Sequence, residues 1–416
     1  MPSKTSENLE YAPPLAAGHD FGKELVNWLF PAYVTLIVAS IFLFQMRSMM
    51  AKGNAMNFDR SVLTVVNTAT LTGFQQKLGP NFFKLPAQIM ILLLTVVGSL
   101  FSLIVGGLAV RRILRLRFTD LQIIVAACLC EIIALLIGAA GGAGIHLSLL
   151  GGLSQGAAAF GNSGMALGRP FDISAWQTHL FVLPMIFLGG LGITVLMELY
   201  DLVIHGHPLS NHTRTVLTWG IGIYLISVLA LTLIQWIAAD WLLTPERLTG
   251  SWVSSSVMAL NSRTAGIPYQ YVSAFPRAMQ WFVMALMMIG AAPGGTGGGL
   301  KITTLAVLIL GMRRLLRGES PGRSLGIAMS WLGIYLSILL LGLLMLLFVE
   351  PQLAGDQVLF MAISALSNVG LSYNQLPDMP RGSFVLAALM LAGRMTPLLI
   401  LWWMADSTTD AEIAVG

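Results

Sequence analysis

The chain has 416 residues, of which 56% are hydrophobic and only 10% charged, and its formal net charge is +4. A soluble domain carries about 25% charged residues, and a disordered chain combines low hydrophobicity with high charge. Both classes are excluded, and a mean hydropathy of +0.78 points to a polytopic membrane protein.

Residues 1–25 read as a polar N-terminal tail containing Pro13-Pro14 and no signal-peptide pattern. Long apolar runs then recur at 26–46, 85–109, 119–140, 176–204, 214–238, 278–310, 325–349 and 383–404. Each reaches the roughly 20 residues that cross about 30 Å of hydrocarbon, so eight spans are expected. Cys128 and Cys130 lie two apart in the third run. On a helix they face nearly opposite ways, so neither a bridge nor a metal pair is expected.

The connections alternate in kind. After the second, fourth and sixth runs come short basic links. The first holds Arg111, Arg112, Arg115 and Arg117, and the second His205, His207, His212 and Arg214. The third holds Arg313, Arg314, Arg317 and Arg323. Their density of positive charge favours the cytoplasmic side, although the total count of Lys and Arg on the two sides does not decide it; an even number of spans puts both termini on that same side. After the other runs comes a shorter helical piece, expected at 57–67, 151–160, 250–261 and 355–366, and then a segment built around one glycine. These segments are Thr68–Phe74, Ala159–Met165, Asn261–Ile267 and Leu366–Leu371. In each, small or hydroxyl residues lead to one glycine and then an apolar residue.

The unit is therefore span, short helix, glycine segment, span, repeated over 26–110, 119–204, 213–312 and 324–405, with 406–416 left as a C-terminal tail. The expected fold is an all-α membrane protein with eight transmembrane helices and four re-entrant pore helices around one central pore. Irregular backbone at membrane depth persists only where protein buries it or where it lines a watery cavity. Four converging glycine segments satisfy that condition. Rings of backbone carbonyls can replace a cation's hydration shell, and helix C-termini aimed at the ion would add negative dipole ends.

Two further features lie inside the spans. The run Pro293-Gly294-Gly295-Thr296-Gly297-Gly298-Gly299-Leu300-Lys301 interrupts the sixth. Its spacing fails the phosphate-binding pattern G-x-x-x-x-G-K-[ST]. Five glycines and a proline break a helix, so the freed carbonyls must face protein or water. Arg394 lies in the last apolar run, where a charge faces a cavity or a partner. Glu131, inside the third span, is a candidate partner. Arg263 stands three residues before Gly266, where it is better placed to brace the segment from behind than to meet a cation. Lys301 either neutralises loop carbonyls or snorkels to the inner face. Asn162, Asn368, Thr72 and Ser262 are candidates for hydrogen bonds around the glycines.

These motifs resemble the Trk/Ktr/HKT superfamily of potassium transporters, and most closely its Ktr-type membrane subunit. The resemblance runs from about residue 26 to 405. It rests on the four glycine segments, on Gly189-Gly190-Leu191-Gly192, on Ser262-Arg263-Thr264-Ala265-Gly266, and on Gly393-Arg394-Met395-Thr396-Pro397. The family often has Gly-Pro where this chain has Thr396-Pro397. The resemblance implies a potassium filter made of Thr70, Leu71, Thr72 and Gly73; Asn162, Ser163 and Gly164; Thr264, Ala265 and Gly266; and Asn368, Val369 and Gly370. Glycine at all four ring positions favours potassium over sodium. It also implies an intramembrane gate loop at about 292–300 and an Arg394 that projects into the pore as a barrier to cations. Further implied are potassium uptake across the cytoplasmic (inner) membrane, a homodimer, and a cytosolic ring of nucleotide-binding regulatory subunits. The chain is expected to carry no organic cofactor.

Other classes remain open at this point. A sodium-coupled or less selective cation transporter keeps the same architecture. An alternating-access transporter of another solute uses broken helices too, but normally two repeats. An intramembrane enzyme needs an acid–base, metal or nucleophile set, and none is visible. The histidines of the second link fit no standard metal spacing. The Trp and Tyr residues, such as Trp241 and Trp402-Trp403, suit interfacial anchoring.

Overall fold

The structure, a computed structural model, describes residues 20–51, 56–74, 82–144, 147–168, 170–238, 245–320, 322–374, 376, 379–406 and 414. Most of both tails, and Trp241, lie outside the described residues. The protein is an all-α polytopic membrane protein whose elements follow the order long helix, short helix, long or broken helix, four times. The first set is α1 (Phe21–Phe44), α2 (Phe58–Ala69) and α3 (Leu85–Ile113). The second is α4 (Asp120–Ala143), α5 (Leu149–Phe160), and α6 (Leu183–Leu191) with α7 (Ile193–His205). The third is α8 (Asn211–Ala238), α9 (Pro245–Leu260), and α10 (Arg277–Met288) with α11 (Ile302–Leu316). The fourth is α12 (Arg323–Val349), α13 (Gly355–Leu366) and α14 (Gly382–Asp406).

Several starts are written locally. Thr119 and Gln122 form a reciprocal capping box at α4, and Ser148 Oγ accepts from Gly151 N at α5. Each satisfies donors that a helix N-terminus leaves unpaired.

Burial separates outer from inner helices. Within the protein, 22%, 28%, 22% and 22% of the apolar stretches of α1, α4, α8 and α12 are buried, against 61% for α3 and 50% for α14. The first helix of each set therefore lies on the outside of the bundle, and α3 and α14 lie towards its centre. Small residues set the closest approach. Gly138 and Gly142 of α4 lie against Gly156 and Gly152 of α5, so near that a Cβ on Gly138 would fall 2.4 Å from Gly156 Cα. This is small-residue packing as membrane helices use it.

Two expected spans are not continuous. The segment Thr178–Leu191 and α7 meet at 103°, because Gly192 between them has φ +85° and closes off helix propagation. The flanking Leu191 and Ile193 are apolar, so hydropathy alone carries the run through the bend. The sixth expected span divides into α10 and α11 around residues 289–301. Among the described residues, six helices are by themselves long and apolar enough to cross a membrane, or seven with the bent pair. On the link side, Arg112 contacts Asp20 and stacks over Trp402, and Arg111 pairs with Asp120.

Candidate functional site

The short helices α2, α5, α9 and α13 all end at one place. Thr72 N bonds Asn67 O, Ser163 N bonds Ala158 O, and Val369 N bonds Ser364 O, each reaching five residues back. Leu71, Asn162 and Asn368 take left-handed backbone at these ends, a helix stop that satisfies terminal carbonyls. The glycines that follow meet in a closed cycle. A Cβ on Gly73 would lie 2.1 Å from Gly164 N, one on Gly164 2.3 Å from Gly266 O, one on Gly266 1.7 Å from Val369 O, and one on Gly370 2.0 Å from Thr72 O. Four segments from four parts of the chain thus form a ring of backbone that admits no side chain.

The third segment reaches the ring by its own route. After α9 comes a π-helical turn, Asn261–Ala265, and the left-handed residue is Gly266 itself. The physical reason is one residue fewer between a buried asparagine and the ring. Asn67 Oδ1 accepts from Gly73 N and Phe74 N, both at 2.8 Å, and its amide donates to Phe74 O at 3.0 Å. Asn261 makes the same clamp on Ile267, through N at 2.6 Å and O at 2.7 Å. In the fourth segment Ser364 Oγ donates to Leu371 O. These clamps escaped the sequence reading. The signal was an asparagine at nearly the same distance before the glycine, at the end of the first short helix and just after the third. Two tyrosines of the outer helices also reach the pore-helix ends: Tyr33 donates to Ala69 O, and Tyr335 pairs with Ser367 Oγ.

The glycine-rich loop is pinched at its neck. Gly290 N bonds Leu300 O, Leu300 N bonds Met288 O, and Ile302 N bonds Ala291 O. The intervening residues touch all four sets of helices in turn. Gly294 abuts Gly106 of α3, Gly295 abuts Gly190 of α6, Gly297 abuts Thr264, and Gly298 abuts Ser367 and Asn368. Gly98 of α3 packs on Ala69 at the pore-helix end, whereas Gly106 lies two turns nearer the link. The loop therefore crosses the centre on the link side of the ring.

Three buried cations hold it. Arg394 Nη2 donates to Thr70 O at 2.6 Å, and its Nη1 to Thr296 O at 2.6 Å and Ser102 Oγ at 3.3 Å. Arg263 braces the neck through Gly290 O at 2.9 Å and Ile289 O. Lys301 Nζ donates to Gly297 O at 2.7 Å and does not snorkel. Carbonyl oxygens, not carboxylates, solvate all three. Glu131 instead accepts from Ser99 Oγ at 2.7 Å, so the candidate Arg394–Glu131 pair does not form.

Of the other polar candidates, Asn162 donates to Thr296 Oγ1 at 2.7 Å and to Ile186 O, and Thr296 Oγ1 donates to Phe160 O. Asn368 donates to Thr72 Oγ1 at 3.0 Å, which ties the fourth segment to the first. Ser262 Oγ is buried without a partner. His205 and His207 meet at Asp201, while His212 is buried elsewhere with both ring nitrogens unpaired.

A family model described as TrkH, a cation transport protein, matches residues 175–405, more than half of the chain. The chain belongs to this family. It is 27% identical over 262 residues to the Ktr system potassium uptake protein B of Vibrio alginolyticus, covering 59% of this chain and 57% of that protein. It is 26% identical over 268 residues to the potassium/sodium uptake protein NtpJ of Enterococcus hirae, covering 58% and 56%. A third relative, the Bacillus subtilis Ktr system potassium uptake protein B, is 26% identical over 292 residues, covering 64% of each chain. The chain thus spans less than two thirds of the length of these curated relatives. The crystal structure of the potassium transporter TrkH from Vibrio parahaemolyticus superposes with a TM-score of 0.73 over 94% of this chain and 86% of that one, at 17% identity. That likeness shows a shared fold.

Proposed function

We propose that this protein carries potassium across the cytoplasmic (inner) membrane through the ring of Gly73, Gly164, Gly266 and Gly370. The observation that carries the reading is the closed cycle of four glycines from four repeats. Such a ring brings backbone oxygens together where a cation must shed water. Thr70–Gly73, Asn162–Gly164, Thr264–Gly266 and Asn368–Gly370 form the filter. The four units correspond to residues 26–110, 119–204, 213–312 and 324–405.

Residues 292–300 act as the gate. Gly294 to Gly299 lie across the path, and the buried Arg394, which bonds both Thr70 O and Thr296 O, opposes an ion arriving from the filter. A small cavity beside the neck of the loop is lined by Ile186, Gly190, Leu191, Ala291, Ala292 and Ile302. Arg394 clasps the loop closed, and Arg263 supports the filter and the neck together. The short basic links face the cytoplasm with both termini. They offer a docking surface for a nucleotide-binding regulatory subunit, in keeping with relatives named as parts of a Ktr system. A homodimer is the proposed assembly.

The test is potassium and sodium uptake by proteoliposomes, with serine placed singly at each of the four ring glycines. Potassium-selective flux that loses selectivity in folded variants is expected. Unchanged selectivity in all four would remove the filter. Absence of any cation flux from the folded protein, with its partner supplied, would favour transport of another solute by alternating access.

A further inference from the structure

The link that follows α7 carries a side-chain cluster that neither the ring nor the loop uses. Asp201 and His205 stand four apart on α7, and so share a face. The helix stops at His205. Gly206, with φ +72°, turns the chain back and donates to Leu202 O. That left-handed turn returns His207 to the same carboxylate. His205 Nδ1 lies 2.8 Å from Asp201 Oδ1, and His207 Nδ1 lies 3.1 Å from Asp201 Oδ2. One donor atom from each of the three residues lies within 4.8 Å of the others. Both imidazoles are about half exposed, at 54% and 46%, so the cluster is open to solvent.

We propose that Asp201, His205 and His207 bind a divalent transition metal, with zinc the fitting ion. Two imidazoles and one carboxylate are a borderline-soft donor set that suits zinc and its neighbours over calcium or magnesium. Three protein ligands leave a fourth, water-filled position. The donors already converge, so binding costs little side-chain ordering. In the absence of metal the carboxylate holds the imidazole Nδ1 atoms by hydrogen bonds. Metal coordination at Nδ1 requires each neutral imidazole to carry its proton on Nε2 instead. Arg117 is the competitor: its Nη2 lies 2.6 Å from Asp201 Oδ2 and places a fixed positive charge against the site.

The last contact separates a metal site from a helix-end charge network. In a network, Arg117 supports the cluster, and removing it weakens the cluster. In a metal site, removing it strengthens binding. The full-length purified protein is titrated with Zn2+ against a chromophoric chelator, and with Co2+ for the visible bands of a tetrahedral ion. One zinc per chain is expected, with intense cobalt bands. H205Q, H207Q and D201N should each lose more than the roughly 10–100-fold that removal of an outer-shell partner costs a metal site. R117Q should tighten binding, and H179Q, elsewhere in the chain, should leave it unchanged. No zinc on the parent protein overturns the proposal. So does equal binding in H205Q and H207Q, or zinc lost only on substituting Cys128 and Cys130.

Discussion

The glycine ring and the loop beneath it are both irregular backbone at membrane depth, yet they are held in opposite ways. The ring is clamped chiefly from within its own segments, with Asn368 on Thr72 Oγ1 and Arg394 on Thr70 O as added long-range ties. Asn67, Asn261 and Ser364 bond backbone no more than seven residues away. The loop tip is held mainly by groups from distant parts of the chain: Arg394, Asn162, and the carbonyls of Phe160, Gly189 and Gly190. Local clamps form with the pore helix and are lost only when it unravels. Distant contacts can be exchanged while both partners stay folded, which is the property of a segment drawn from the low-stability end of a structure. On the proposed function, the first region stays and the second moves.

The largest effect is expected from removing a local clamp. Asn67→Ala leaves Gly73 N, Phe74 N and Phe74 O without their partner. Each buried group so orphaned costs about 1–3 kcal/mol, so the total is roughly 3 kcal/mol or more. We expect a clear drop in melting temperature of the purified protein together with lost ion selectivity. Ser364→Ala, which removes a single bond, should cost about 1 kcal/mol. Selectivity lost in Asn67→Ala without loss of stability would mean that the clamp tunes the ring and does not build it.

Removing a distant contact should do the reverse. Arg394→Ala frees Thr70 O and Thr296 O, and a hydrogen bond to a charged group is worth about 1.5–3 kcal/mol. It also removes a buried charge whose desolvation opposed folding. Melting temperature should change little, and potassium flux in proteoliposomes should rise several-fold. Loss of folded protein instead would make Arg394 a structural residue and place the loop with the ring.

What was legible in the sequence follows the same division. Features that act over a few residues were readable: pore-helix positions, the ring glycines, and the break at 289–301, where five glycines and a proline leave no alternative. Features that depend on distance were not. The partners of Arg394 lie about 100 and 300 positions away, and nothing near residue 394 separates carbonyl ligands from the carboxylate of Glu131. The bend at Gly192 was hidden because its neighbours are apolar. The shifted third segment was hidden because aligning on glycine absorbs a missing residue, although the unequal spacing of Asn67–Gly73 and Asn261–Gly266 records it. His207 joins Asp201 only through a left-handed turn at Gly206, so spacing alone fitted no metal pattern.

Lys301 gives the mildest test, because it belongs to both categories. Its ammonium bonds Gly297 O, four residues away, so by sequence distance it is a local clamp. Yet it acts on the loop tip, which the distant contacts hold. Lys301→Met keeps the apolar stem and removes one charged hydrogen bond, worth about 1.5–3 kcal/mol before the cost of burying the ammonium is offset. Nearby Arg394 lowers the net further, since two buried cations repel. We expect a net change of about 1 kcal/mol or less, an unchanged melting curve, and a rise in flux smaller than that of Arg394→Ala. A larger rise would mean that the loop is held chiefly by its own base. The four-repeat contacts of Gly294 to Gly298 would then be packing against a lock that closes at Lys301.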